Sequence, residues 1–293
     1  MKFLIVLSFF CSVFPAINLS AQSLDLAWAK RVGSTGQDEA NSITTDAQGN
    51  VYVTGTFQAT TDFDPGPAVQ NLTSFGGSDI FIVKVDPAGT FQWVKQMGGA
   101  GDDVANAIFI DVNGFIYTTG YFNNTADFDP GPASFNLIAN GSNIFVSKLT
   151  AAGNFIWAKG MGGTTSNGAP DTGLAIGVDQ NGNVFTAGHF WSANADFNPG
   201  AGSFILSSAG NIDLFISKLD QNGNFLWAIR IGSIAGEEVR SLKVDPNGNV
   251  LTTGLVGTPS VDFDPGPGVY NLTSSSAFIL KLDPNGNFVW AKQ

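Results

Sequence analysis

The sequence predicts an all-β fold, a β-propeller or partial propeller of about four four-stranded antiparallel blades. Three observations predict it: a motif that recurs about every 65 residues, two tight turns in each recurrence, and no sustained helical periodicity after the first 21 residues. The composition agrees, because 36 glycines, 25 phenylalanines and only 13% charged residues suit short strands joined by turns.

Tryptophans mark the period of the repeat. Successive copies are 65, 64, 70 and 63 residues apart at Trp28, Trp93, Trp157, Trp227 and Trp290. Each interval contains an acidic residue, an apolar segment, an alternating strand, an insertion and an apolar strand that ends in lysine. The insertion carries the phrase Asp-Phe-Asp-Pro-Gly, with Asn198 in place of the second Asp in the third interval. We expect the tryptophans to pack between blades as core residues.

Two turns of the form Asp-x-x-Gly divide each interval into two hairpins. In the first copy these are Asp46 to Gly49 and Asp86 to Gly89; one of the eight turns begins with Thr150 instead. Asp bonds the backbone two residues on, and Gly accepts positive φ, so each turn predicts a β-hairpin. Two hairpins give four strands per copy, and we expect the second strand to end at a glycine, in turn Gly55, Gly120, Gly188 and Gly254.

The chain divides into a signal peptide over residues 1–21 and a repeat domain over residues 22–293. Lys2, an apolar run and small residues before Gln22 are typical of a cleaved export signal, and that run is short for a membrane span. We therefore expect a secreted or cell-surface protein with no membrane span after cleavage. The only cysteine, Cys11, lies in the signal segment, so the repeat domain depends on core packing and not on disulfides. The copies cover approximately residues 34–98, 99–162, 163–232 and 233–293.

An extra tryptophan strand, residues 24–32, precedes the first copy. The sequence thus predicts five tryptophan strands but only four sets of the other three strands that make up a copy. Either a longer natural chain continues past Gln293 and its last blade takes residues 24–32 as a strand, or four blades close without it. We favour an incomplete ring, because an unpaired strand edge is a liability.

The order of these elements resembles a known family. Asp-x-x-Gly-Asn-Val-Tyr-x-Thr-Gly (residues 46–55), Asp-Ile-Phe-Ile-x-Lys (residues 79–84) and Gly-x-Phe-x-Trp are similar to the bacterial β-propeller repeats called SBBP repeats. The Asp-Phe-Asp-Pro-Gly insertion resembles that of exported Bacteroidetes-type proteins. The resemblance implies a propeller fold and a surface location, and it implies no enzymatic activity.

The insertions supply the candidate metal ligands, a pair of acidic or amide side chains at positions i and i+2 of each loop. Such pairs hold Ca²⁺ in many proteins, with backbone carbonyls completing the shell. The alternative is structural: Pro and Gly suit a type II turn, the first Asp caps backbone N–H groups, and Phe63 anchors the loop. The candidates are Asp62, Asp64, Asp127, Asp129, Asp196, Asn198, Asp262 and Asp264.

Two single residues invite a functional interpretation. His189 is the only histidine, but Thr56, Tyr121 and Leu255 take its place in the other copies, which does not favour catalysis. Trp191 lies outside the tryptophan register, beside the third insertion, and is a candidate for stacking on a sugar or a partner. Its alternative role is loop packing.

The sequence predicts a non-enzymatic exported scaffold that binds protein or glycan at the cell surface. The net charge of −11 argues against nucleic acid as a partner. Four near-equivalent loop sets favour a scaffold, because an active site needs one asymmetric group of titratable residues. The alternative is an enzyme that acts on extracellular polysaccharide with loop carboxylates as acid and base.

Overall fold

The computed structural model describes residues 26–164, 169–257, 260–273 and 276–293. The predicted signal peptide, residues 1–21, lies outside them. Among the described residues, no helix is long and apolar enough to cross a membrane. The strands, in chain order, are β1 (Asp38–Thr45), β2 (Val51–Phe57), β3 (Thr60–Asp62), β4 (Asn71–Thr73), β5 (Asp79–Val85), β6 (Phe91–Gly99), β7 (Val104–Ile110), β8 (Ile116–Asp127), β9 (Asn136–Leu149), β10 (Phe155–Met161), β11 (Thr172–Val178), β12 (Val184–Phe190), β13 (Ala195–Asp196), β14 (Ile205–Leu206), β15 (Asp213–Leu219), β16 (Phe225–Ile231), β17 (Glu238–Val244), β18 (Val250–Val256), β19 (Val261–Asp262), β20 (Asn271–Leu272), β21 (Ser276–Leu282) and β22 (Phe288–Lys292).

These strands form four antiparallel units of four strands, which we call units 1 to 4. Their orders are β1-β2-β5-β6, β7-β8-β9-β10, β11-β12-β15-β16 and β17-β18-β21-β22. The end of β6 also pairs with the end of β8, which joins units 1 and 2 into one eight-stranded sheet. The insertion between the second and third strand of a unit forms a short hairpin of its own, as β3-β4, β13-β14 and β19-β20; in unit 2 it continues β8 and β9. The predicted four-stranded repeat is therefore observed.

The Asp-x-x-Gly turns join the strands as predicted. In the first turn the Asp46 carbonyl accepts a hydrogen bond from the Gly49 N–H, and Asp46 Oδ1 accepts the N–H groups of Gln48 and Asn50. Gly49 has φ 81° and Gly89 has φ 77°, the left-handed region in which a side chain is strained. Both turns of a unit lie at one end, called here the turn end. The insertions and the unit-to-unit links lie at the other, the insertion end.

One prediction about the glycines is wrong. The second strand does not end at Gly55 or Gly120 but continues past each, to Phe57 and Asp127 respectively. Each of these glycines lies opposite an irregularity in the first strand, where the register shifts by one residue. A Cβ on Gly120 would lie 1.8 Å from the Val104 carbonyl oxygen, and Gly55, Gly188 and Gly254 are equally crowded. The glycine therefore makes room for a β-bulge and does not terminate a strand.

Neighbouring units share their hydrophobic cores. One core cluster joins Ile80 and Ile82 of unit 1 to Ile108 and Phe122 of unit 2, and similar clusters join units 2 and 3 and units 3 and 4. The first strands of the units contact one another in the order β1, β7, β11, β17. Within the described ranges, no core cluster joins unit 4 to unit 1.

The predicted extra strand is not formed by the residues that the structure describes. Residues 26–34 have no regular secondary structure and do not belong to any sheet. The segment nevertheless lies against unit 1, where Val32 packs on the cluster of Phe57, Phe63 and Phe81. In each unit the tryptophan strand pairs with the third strand of that unit, and the described residues place no such strand beside residues 26–34.

We predict that Gly120→Ala lowers the free energy of unfolding by about 1–3 kcal/mol, because the new methyl group forces the bulge apart. Gly160→Ala is the matched control, since a Cβ there would meet its nearest neighbour at an ordinary 3.4 Å. Urea denaturation of both variants measures the difference. Equal stabilities for the two variants would contradict this account of the bulge.

Candidate functional site

The four insertion loops repeat one hydrogen-bond pattern at the insertion end. In unit 1, Asp62 Oδ1 accepts the N–H groups of Asp64 at 3.1 Å and Gln70 at 2.8 Å, and Asp64 Oδ1 accepts the Gly66 N–H at 2.7 Å. The same three bonds recur in the other units, at Asp127 and Asp129, at Asp196 and Asn198, and at Asp262 and Asp264. The predicted capping of backbone N–H groups is observed.

The loop is held by its phenylalanine and by side-chain caps, not by a type II turn. Phe63 is buried against Phe57 and Phe81 as predicted, with ring centroids 5.1 and 5.0 Å away. A type II turn would place Gly66 at positive φ, but Gly66 is not among the residues with positive φ. That turn type is therefore a wrong prediction. The Asp64 carboxylate replaces it by bonding the backbone two residues on.

The geometry of the insertion loops does not test whether the acidic pairs bind calcium. In unit 3 the second residue of the pair is Asn198, which is uncharged. Its Oδ1 nevertheless accepts the Gly200 N–H, as Asp64 Oδ1 accepts the Gly66 N–H in unit 1. The described residues contain no group of three or more His, Cys, Asp or Glu placed to hold a metal ion. Calcium binding by these pairs stays a prediction, and it would need backbone carbonyls to complete the shell.

A second set of carboxylates, which the sequence did not identify as buried, caps the links between units. Asp103 has no exposed surface; its Oδ1 accepts the Asn123 N–H at 3.0 Å and its Oδ2 accepts the Gly99 N–H at 2.7 Å. Asp171 and Glu237 are equally buried at the corresponding positions, and Asp38 is partly buried. These are the acidic residues near the start of each repeat, so their recurrence in the sequence is the signal from which this capping role could have been predicted.

Two buried carboxylates meet at the junction of units 1 and 2. Asp79, at the start of β5, is fully buried, and its Oδ1 has no hydrogen-bond partner among the described residues. Asp79 Oδ1 and Asp103 Oδ2 both face Gly98, at 2.8 and 3.1 Å from the place a Cβ would take. Burial raises the pKa of both carboxyls, and their mutual repulsion contributes at Asp103, whose pKa is about 7.

The other junctions vary this arrangement. Between units 3 and 4, Asp213 takes the place of Asp79, and the Arg230 guanidinium donates to it at 2.8 Å. Burial still raises the Asp213 pKa, to about 6. Between units 2 and 3 the position holds Asn143, an uncharged amide. A carboxylate at this position is therefore not required by the fold.

A polar pocket of about 410 Å³ opens at the insertion end between units 1 and 2. Its lining is almost entirely polar, and Val104 is its one apolar residue among those described. The pocket contains two carboxylates and no Lys or Arg, so its potential is negative; the pKa of the Tyr121 hydroxyl is raised by burial and by Asp102, Asp103 and Glu39. The lining comprises Gln37, Glu39, Asn41, Thr56, Gln58, Ser78, Asp102, Val104, Asn106 and Tyr121.

Internal hydrogen bonds fix several of the lining side chains. Asn106 Nδ2 donates to the Gly173 carbonyl at 2.9 Å, and Asn41 Nδ2 donates to the Ala105 carbonyl at 3.0 Å. Asp102 Oδ1 accepts the Ser78 N–H at 3.0 Å, and Gln58 Nε2 donates to Ser78 Oγ at 2.9 Å. The pocket is thus preorganised, which lowers the entropic cost of binding a polar ligand.

Trp191 and His189 are not brought into this pocket. The Trp191 side chain is partly exposed, and its backbone N–H donates to Asp171 Oδ1 at 2.8 Å. His189 lies on β12 facing unit 4, where burial and Arg240 lower its pKa; its Nδ1 is buried without a partner among the described residues. A stacking role for Trp191 stays a prediction.

Comparisons with known proteins support a propeller-like all-β fold. A family model described as a beta-propeller repeat, SBBP, matches residues 27–56 and 92–129. An uncharacterized WD repeat-containing protein of Acanthamoeba polyphaga mimivirus is 26% identical over 90% of this chain. The regulatory protein FlaEY of Caulobacter vibrioides is 27% identical over 32% of this chain. The chain spans 23% and 10% of those two proteins.

One solved structure also aligns with this chain, at low structural similarity. A protein of unknown function from Bacteroides caccae aligns over 86% of this chain and 81% of its own, with a TM-score of 0.35 and 12% identity.

We predict that Asp79→Asn raises the free energy of unfolding at pH 8 by about 1 kcal/mol, with a smaller gain at pH 5. The amide oxygen keeps the bonds from Phe75 and Gln96, and the NH₂ group replaces the unpartnered Oδ1. Because the folded state holds protons at raised pKa, the stability of the unsubstituted protein should fall as pH rises from about 4 to about 7.

Urea denaturation at the two pH values measures both effects. Asp86→Asn is the control, since its Oδ1 can continue to accept the Ala88 and Thr90 N–H groups. A loss of stability of Asp79→Asn at pH 8 would show that the charge is favourable.

We predict that Asp62→Ala lowers the free energy of unfolding by about 1–3 kcal/mol, because two loop N–H groups lose their acceptor, whereas Asp64→Asn lowers it little. Urea denaturation of the two variants measures the difference.

Thermal melts with added calcium and with chelator test the metal prediction. If the pair binds calcium, the ion raises the melting temperature of the unsubstituted protein, and Asp64→Asn reduces that shift. A melting temperature that does not respond to either addition would exclude a stabilising calcium site.

Proposed function

We propose that this protein is a non-enzymatic, exported repeat scaffold that binds a protein or a glycan at the cell surface. The insertion end is its binding surface, and the pocket between units 1 and 2 is the best-formed site on it. Export rests on the predicted signal peptide at residues 1–21. Protein or glycan is favoured over nucleic acid by the net charge of −11.

The observation that carries this proposal is the shared structure of the four insertion loops. Their carboxylates already accept backbone N–H groups, and the same bonds recur in all four loops. The buried carboxylates, such as Asp103, have no exposed surface. A catalytic acid and base must reach a substrate, so these groups support repeated binding contacts better than a reaction.

The pocket supplies chemistry that suits a polar ligand. Amide, hydroxyl and carboxylate groups line it, and the Tyr121 ring offers an edge for packing. Such groups hydrogen-bond sugar hydroxyls or the polar groups of a peptide. The two carboxylates, Glu39 and Asp102, favour a ligand that is neutral or positively charged.

The competing function is hydrolysis of an extracellular polysaccharide. It would need two carboxyl groups flanking one bond, about 5–10 Å apart and open to substrate. Glu39 and Asp102 are the exposed carboxylates of the pocket, so they are the pair to test.

We predict that the repeat domain, residues 22–293, binds members of an oligosaccharide array or a peptide array, and that Glu39→Gln weakens that binding at least fivefold. The substitution removes the negative charge and replaces one of the two acceptor oxygens by an NH₂ group, a loss worth about 1 kcal/mol or more. Titration calorimetry with the strongest binder measures the change.

Glu238→Gln is the matched control, because Glu238 has the position of Glu39 in unit 4 and lies outside the pocket. Absence of binding to both arrays would contradict the proposal. Release of reducing ends from the array polysaccharides by the unsubstituted domain, lost in Glu39→Gln, would favour the enzyme instead.

A further inference from the structure

The pocket between units 1 and 2 differs in charge from the corresponding places at the other junctions. Two exposed carboxylates line it, Glu39 on β1 and Asp102 in the link to β7, and its described lining has no Lys or Arg. At the other two junctions these positions are uncharged: they are Val104 and Pro170 between units 2 and 3, and Thr172 and Gly236 between units 3 and 4. The pair of charges is therefore particular to one junction and is not a requirement of the repeat.

Each of the two carboxylates keeps one oxygen open. Glu39 Oε1 accepts Gln37 Nε2 at 2.7 Å, and Asp102 Oδ1 accepts the Ser78 N–H at 3.0 Å. The second oxygen of each accepts no hydrogen bond from the described residues, and neither carboxylate forms an ion pair with them. The pocket thus offers two negative charges with open acceptor sites.

Unit 4 shows which group partners a glutamate at the position of Glu39. There Glu238 takes that position, and Arg240 Nη2 donates to its Oε2. In unit 1 the position of Arg240 belongs to Asn41, whose amide already donates to the Ala105 carbonyl at 3.0 Å. Glu39 therefore lacks the guanidinium that its counterpart has within the chain.

Tyr121 gives the pocket an aromatic surface beside the two carboxylates. Its hydroxyl forms no hydrogen bond with the described residues, although it lines the pocket. Burial raises the pKa of this hydroxyl, and the charges of Asp102, Asp103 and Glu39 raise it further, so the ring lies near the same carboxylates. A cation over such a ring is attracted by its negative face.

A guanidinium suits this combination better than a metal ion or a neutral sugar does. The pocket of about 410 Å³ is much larger than a single ion, and the described residues hold no group of three or more His, Cys, Asp or Glu placed for a metal. A neutral sugar would leave both charges uncompensated. Arginine has five N–H donors in a planar fork, which matches carboxylates and also stacks on aromatic rings.

We propose that the pocket between units 1 and 2 receives an arginine side chain of a protein partner. Its guanidinium donates to Glu39 and Asp102 and stacks on Tyr121. This inference rests on the proposed function, because it names the partner of the same pocket, and it selects protein over glycan as that partner.

The test is titration calorimetry of the protein with two short peptides whose ends are blocked. One has a single arginine between glycines, and the other has citrulline in its place, which keeps the shape of arginine and removes its charge. We expect the arginine peptide to bind roughly tenfold more tightly than the citrulline peptide. Raising the salt from about 50 mM to about 500 mM should weaken only the arginine peptide.

Two substitutions in the pocket locate the binding. Glu39→Gln and Asp102→Asn should each weaken the arginine peptide roughly fivefold and leave the citrulline peptide unchanged. In Asp102→Asn the Oδ1 can continue to accept the Ser78 N–H, so the fold is kept, and thermal melts check this. Glu238→Gln is the matched control, because Arg240 already partners Glu238, and it should change neither affinity.

Equal binding of the two peptides overturns the inference, and so does an arginine affinity that Asp102→Asn leaves unchanged. A neutral oligosaccharide that binds, and that Glu39→Gln weakens, would overturn it while supporting the proposed function, provided that the arginine peptide does not bind. If neither peptide and no member of the arrays binds, the inference and the proposed function both fail.

Discussion

Burial of each unit's two apolar faces against its neighbours is the constraint on which the rest of the structure depends. A single four-stranded sheet leaves one or both faces in water, and full burial of an Ile or Phe side chain is worth about 1.5–3 kcal/mol. Ile108, Ile176 and Leu242 are nearly inaccessible for this reason. Where unit 2 meets unit 3 and where unit 3 meets unit 4, a lysine and a tryptophan donate to one carbonyl of the next unit's turn and so fix the angle at which those faces meet.

That constraint explains why the links between units contain buried carboxylates. The chain turns there from the outer strand of one unit to the inner strand of the next. Asp103, at the end of the link between units 1 and 2, accepts two backbone N–H groups, those of Gly99 at the end of β6 and of Asn123 on β8. Burial and the nearby Asp79 raise the pKa of Asp103 to about 7, so we expect the stability of this junction to depend on pH.

The insertion loops of units 2 and 3 also contact the links between units, because Asp127 pairs with Gly98 and Asp196 pairs with Gly162. Each of the four loops is a short hairpin whose Asp residues bond its own backbone, and its phenylalanine anchors it to the unit below. Loops of this kind tolerate changes on their outer surface without cost to the core. The outer surface of the loops can therefore change while the units keep their packing, and for this reason the proposed binding surface is placed at the insertion end.

The sequence by itself determined the repeat, the four strands per copy, the Asp-x-x-Gly hairpins and the capping role of Asp62. All of these depend on local chemistry: turn residues, alternation, and bonds between groups a few residues apart. It did not show that Gly120 lies beside a bulge, that Gly66 avoids positive φ, or that residues 26–34 form no strand. It also did not show that Asp79 meets Asp103, or that Asn41, Asp102 and Tyr121 share a pocket. Only the tertiary structure decided these, because they depend on which backbone or side chain a neighbouring strand or unit brings close, and local pattern carries no such information.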